Sequence, residues 1–102
     1  MKTKKETDML PGPLKIEYTV QLCREGSQFV AHAVPLDVMS VGATPQTARQ
    51  ALDEAVGFFL KTAADMGTLE QVLEDAGYVL HDNSWEGPDW VGVERHTLSV
   101  VA

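Results

Sequence analysis

Residues 41–60 read VGATPQTARQALDEAVGFFL, and this stretch constrains the fold more than any other. A short apolar run stops at Gly42. Thr44 then offers a capping side chain, and Pro45 fits the first helical position, where its missing N–H leaves no bond unmade. Ala48, Ala51, Leu52, Ala55, Val56, Phe59, Leu60 and Ala63 recur at steps of three and one. That spacing predicts one apolar stripe along a helix. Gln46, Arg49, Gln50, Asp53, Glu54 and Lys61 take the other side, and Gly67 ends the helix or begins the next turn. A helix with one apolar stripe needs a surface to bury it, and the alanines allow that surface to come close. Leu52, Val56, Phe59 and Leu60 are expected to pack against Ile16, Val20 and Phe29.

The segment before the helix supplies a sheet. In LKIEYTVQL, Ile16, Tyr18, Val20 and Leu22 alternate with Glu17, Thr19 and Gln21, which predicts one half-buried strand. REGS gives a turn around Gly26, and QFVAHAV places Phe29, Ala31 and Ala33 on one face. A loop over residues 24–27 would pair Leu22 with Phe29, Val20 with Ala31 and Tyr18 with Ala33, so that the apolar faces coincide. His32 then sits opposite Thr19. Pro35 ends this strand or lies at its edge. VMSV reads as a short third strand.

Beyond the main helix, TLEQVLEDAG predicts a second, shorter helix. Thr68 and Gln71 form its expected capping box, and Gly77 its terminal glycine. YVLHD reads as strand or extended chain, and SWEGPDW as a loop with two tryptophans. VGVERHTLSVV is strand-like, with His96, Leu98 and Val100 on one face. Residues 1–13 read as a polar, lysine-bearing tail closed by Pro11, Gly12 and Pro13, and residues 14–102 as one domain. The expected class is α+β: a small antiparallel sheet covered by one main helix, with a second short helix and a C-terminal strand.

Charge is unevenly placed. Lys2, Lys4, Lys5 and Lys15 are half of the 8 basic residues. From Ile16 onward there are 13 acidic and 4 basic residues, a net of −9. Such a body repels phosphate backbones and suits a basic protein partner, although acidity also serves solubility alone. Cys23 is the only cysteine, which excludes an intrachain disulfide and two-cysteine motifs and fits a reducing cytosol. No apolar run reaches membrane-spanning length, and MKTKKETDMLPGP lacks the apolar stretch of a signal peptide. A cytoplasmic location is expected.

The order of elements carries a resemblance. YTVQLCREGSQFVAHAVPL followed by VGATPQTARQALDEAVGFFL resembles the HicB antitoxin family. The matching features are Gly26, Phe29-Val30-Ala31, Pro35, Gly42, Thr44 and Ala48, continued by Ala55 and Phe59-Leu60. They cover residues 16–64. The segment PLDVMSV departs from the family, lacking its Gly-Cys or similar pair and being shorter. The resemblance implies a partial RNase H-like fold and a non-enzymatic antitoxin. Its partner would be a HicA-like toxin, a small basic ribonuclease acting on mRNA, which it binds and masks. A stand-alone HicB-like binding or structural module is the alternative. Some family members carry an additional DNA-binding domain, for which too little chain follows here.

An RNase H-like fold raises the question of catalysis. Such nucleases converge several carboxylates on paired divalent metals. Here the first strand offers only Glu17, near its start and on its polar face, so no nuclease activity is expected. His32, His81 and His96 lack ligand spacing. The segment after Gly42 has no phosphate-loop pattern. No metal, cofactor or catalytic residue is expected. For binding, HDNSWEGPDW stands out: Trp85 and Trp90 are anchor-type residues, beside Asp82, Glu86 and Asp89. The competing and favoured reading is that both rings cover the domain's own core. A sheet edge is the other candidate surface. Open edges and the apolar TLSVV segment suggest a homodimer.

Overall fold

The computed structural model describes residues 13–102. The expected tail over residues 1–13, with Lys2, Lys4 and Lys5, therefore lies almost wholly outside the described residues. Among those described, the order is β1 (Lys15–Ile16), β2 (Thr19–Glu25), β3 (Gln28–Val34), β4 (Val38–Gly42), α1 (Pro45–Asp65), α2 (Leu69–Asp75), β5 (Val79–His81) and β6 (Ser84–Glu86). They form an α+β fold with two three-stranded sheets, ordered β2-β3-β4 and β1-β6-β5. The first is antiparallel throughout. In the second, β1 runs parallel to β6, and β5 antiparallel to it.

The hairpin is tighter than the sequence reading. Glu25 pairs with Gln28, leaving only Gly26 and Ser27 in the turn, with Gly26 at φ 63°. A two-residue turn with glycine first suits the strand twist, and only glycine takes that φ freely. Leu22 therefore opposes Ala31 and Val20 opposes Ala33, and His32 faces Gln21, not Thr19. The shift is two residues, an even number, so every side chain keeps its expected face.

LKIEYTVQL is not one strand. It divides at Glu17 and Tyr18, so β1 joins one sheet and β2 the other. Two further expectations fail for a shared reason. SWEGPDW is not all loop, because residues 84–86 pair on both sides as β6. VGVERHTLSVV forms no strand, since it pairs with none of the described strands. Strand chemistry makes a strand only where a partner exists.

Thr44 caps α1 as expected, and Thr47 completes a reciprocal box: each hydroxyl accepts the other residue's backbone N–H at 3.0 Å. Both helices end in the same way. Gly67 at φ 76° and Gly77 at φ 96° follow them, and Thr68 and Tyr78 donate their N–H back to the carbonyls of Ala63 and Leu73. This explains why the box expected from Thr68 and Gln71 is missing. The Thr68 backbone N–H and hydroxyl are both committed to Ala63. Gln71 donates instead to Asp75 at 2.8 Å.

The core sits between α1 and the inner face of β3 and β4. Ala31, Ala33, Ala48 and Leu52 are fully buried, with Val56 beside them. Leu73, Tyr78 and Trp85 extend this core toward α2 and the second sheet. Of the predicted stripe, Phe59 departs most: it is 37% exposed and is not among the side chains packed on the core, whereas Leu60 is. Gly42 faces the first turn of α1. A methyl group there would lie 2.5 Å from the Ala48 backbone nitrogen and from the Thr47 hydroxyl.

Two predictions follow from this packing. Leu52→Ala should cost about 2–5 kcal/mol in denaturant unfolding, and Phe59→Ala clearly less. The reverse order would refute the placement of the stripe. Gly42→Ala should destabilise by displacing the first turn of α1. Gly57→Ala, in open space on the same helix, should instead stabilise by about 0.5–1 kcal/mol. Calorimetric melting of both variants checks the contrast.

Candidate interaction site

The five residues singled out from HDNSWEGPDW separate in space. Trp85 lies in β6 between two neighbouring strands and is only 4% exposed. It is a core residue, as the favoured reading had it, and offers no surface to a partner. Trp90 does not follow that reading: it is 48% exposed. Asp82 occupies the β5–β6 turn at φ 59°, a left-handed conformation that aspartate tolerates better than most residues. Glu86, Asp89 and Trp90 do meet. They line a shallow concavity at the seam of the two sheets, opposite Thr19, Val34 and Pro35. Asp82 and Glu86 border a second depression, with Lys15 and His81.

The seam is held by side chains that sequence reasoning treated only as strand pattern. Glu17 donates its N–H to the Trp85 carbonyl at 3.1 Å, and its own carbonyl accepts the Tyr78 hydroxyl. Tyr18 donates its hydroxyl to Asp53 Oδ1 of α1 at 2.5 Å. Burial raises the Tyr78 hydroxyl above its ordinary pKa, with Glu17 adding to the effect. Tyr18 is pushed up to about 12, first by burial and then by the hydrogen bond and charge of Asp53. Gly87 completes the seam: a methyl there would stand 3.2 Å from Pro35 Cδ.

A third groove follows the outer edge of β2. Five consecutive residues, 19–23, line it together with Trp90 and Val93. Sequence reading missed this juxtaposition. The contact is between segments about seventy positions apart, and neither carries a marker of the other.

Charged groups around these surfaces are exposed. The His81–Glu86 and His96–Glu94 pairs, at 3.9 and 2.8 Å, involve mostly exposed side chains and contribute little to stability. Residues 69–89 carry six carboxylates and no lysine or arginine. Glu74 and Asp75 stand in the last turn of α2, where carboxylates oppose the helix dipole and no basic residue balances them. Among the described residues, no group of three or more histidine, cysteine or acidic side chains is arranged to hold a metal, and no helix is long and apolar enough to cross a membrane. No protein-family model, no curated protein and no solved structure matches this chain.

The seam gives a pH prediction. Both tyrosine pKa values are raised in the fold, so the folded state holds protons that the unfolded chain loses near pH 10. The associated stability is complete below that pH and is lost as pH rises through about 12, where Tyr18 ionises. Tyr18→Phe should remove the most alkaline tyrosinate transition at 295 nm and reduce the alkaline loss of stability. Ionisation of Tyr18 near pH 10 in the folded chain would contradict the assigned contact.

Proposed function

We propose that this protein is an antitoxin of the HicB type, acting in the cytoplasm by binding and masking a small, basic, mRNA-cleaving HicA-like toxin. The observation that carries the reading is the unit β2-β3-β4-α1. The residues that resemble the HicB family all fall within it. Gly42, Thr44 and Ala48 of that resemblance meet at one point, the packed and capped start of α1. A partial RNase H-like architecture is part of the same proposal.

Charge supports a basic partner. The acidic run over residues 69–89 includes carboxylates placed against the α2 dipole, so helix stability does not account for them. An RNA-binding surface is basic, and an acidic body covers it with complementary potential. Within that body Trp90 is the exposed tryptophan, an anchor-type residue that lines the seam concavity with Glu86 and Asp89. The proposed role is stoichiometric cover, without chemistry by the antitoxin.

The test is a cleavage assay. A HicA-like ribonuclease encoded beside this protein should lose activity on a model RNA at one equivalent of antitoxin, and the antitoxin alone should cut nothing. Association should slow as salt rises. Trp90→Ala should weaken masking at least tenfold while leaving thermal stability near that of the parent. Undiminished cleavage at excess antitoxin would defeat the proposal, and metal-dependent cleavage by this protein alone would replace it with an enzymatic one.

A further inference from the structure

The described chain finishes in a segment that joins no sheet. Residues 87–102 make no turn, bend or ladder, and among the described residues no backbone hydrogen bond engages them. Yet the segment is rich in strand formers: Val91, Val93, Thr97, Val100 and Val101 are β-branched. Val91 and Val101 are fully exposed, and Leu98 is 86% exposed. Apolar side chains are thus left in water, beside backbone groups that pair only with solvent. Joining a sheet removes the first cost and gives the backbone groups protein partners.

A matching vacancy exists on β2. This strand pairs with β3 alone and forms one edge of its sheet. Alternate residues of such an edge direct their N–H and C=O groups outward. Natural edges are blunted by charge, proline or a bulge. The stretch TVQLC at residues 19–23 has no charged residue, no proline and an uninterrupted register with β3. Trp90 and Val93 line the groove along this same edge, so the unpaired segment departs from beside it.

We infer that two copies of this chain associate by reciprocal strand addition, residues 97–101 of each pairing with the β2 edge of the other. The occupant is a second copy because donor and acceptor lie on one chain. A twofold arrangement fills both edges and orders both tails at once. A foreign strand would fill the edge and leave the tail bare. Charge also selects this seam. The body carries a net of −9 from Ile16 onward, yet residues 19–23 and 97–101 contain no charged side chain. Two acidic copies can therefore meet here without opposing like charges directly across the ladder. Five residues span about 17 Å, within the seven-residue length of β2. None of this depends on a toxin.

The test uses the full chain first. Light scattering at micromolar concentration should give the mass of a dimer. Removing residues 97–102 should give a monomer that keeps its helical signal and cooperative unfolding and loses only β signal, because the segment supports nothing in its own copy. Val100→Pro should have the same effect without shortening the chain. Cys23 is exposed, lies in β2 and is the only cysteine, so it reports the geometry. Thr97→Cys, Leu98→Cys, Ser99→Cys, Val100→Cys and Val101→Cys, made singly and mildly oxidised, should include at least one disulfide-linked dimer that Cys23→Ser abolishes. A monomeric full chain overturns the inference. So does a dimer that survives both tail variants, or crosslinking that stays within one copy.

Discussion

The close seating of α1 on β3 and β4 governs the molecule. Ala31, Ala33 and Ala48 meet with no exposed surface, and Gly42 faces the first helical turn where any side chain would collide. Small residues on both sides bring the helix axis near the sheet. Leu52 and Val56 are buried beside them. This contact fixes the direction of α1. The glycine turn after it fixes where α2 begins, and α2 in turn places Tyr78 and Trp85 in the same core. The second sheet is therefore positioned through the helices, although its first strand comes before them in the chain.

The change of sheets at Glu17 and Tyr18 is the second constraint. A chain leaving one ladder for another exposes backbone groups that must find partners. Glu17 satisfies its N–H on Trp85 and its carbonyl on Tyr78, while the Tyr18 hydroxyl reaches Asp53. Two tyrosines thus tie the crossing to α1 and to the chain that follows α2. Their raised pKa values have the same physical origin, because a hydroxyl that is partly buried and donating to an acceptor resists losing its proton.

Much of this fold is legible in local chemistry. Thr44 and Pro45 marked the start of α1, Gly67 and Gly77 its end and that of α2, and strand alternation the faces of β2 and β3. What escaped were facts about pairing. The alternation of Ile16, Tyr18, Val20 and Leu22 continues unbroken across the change of sheets, so it carries no trace of it. The hairpin slipped by two residues because side-chain faces are unchanged by an even shift. Phe59 had the right helical phase but stays exposed, and phase alone does not measure how far the sheet extends. Among the candidate site residues, chemistry identified anchor types but not which of them would face outward.

Trp85 and Trp90 show how that choice is made. They are five positions apart and identical in chemistry. Trp85 falls where the backbone is paired on both sides, so the ladder turns its ring into the core. Gly87 then packs against Pro35, Pro88 brings no N–H to a ladder, and pairing stops. Trp90 comes after that point and remains half exposed, at the junction of the acidic seam and the β2 edge. One surface suits a basic partner through charge, and the other suits a neutral strand through backbone hydrogen bonds. Because the two draw on different forces, raising salt should weaken the first and spare the second, and Trp90, which borders both, is a side chain they would share.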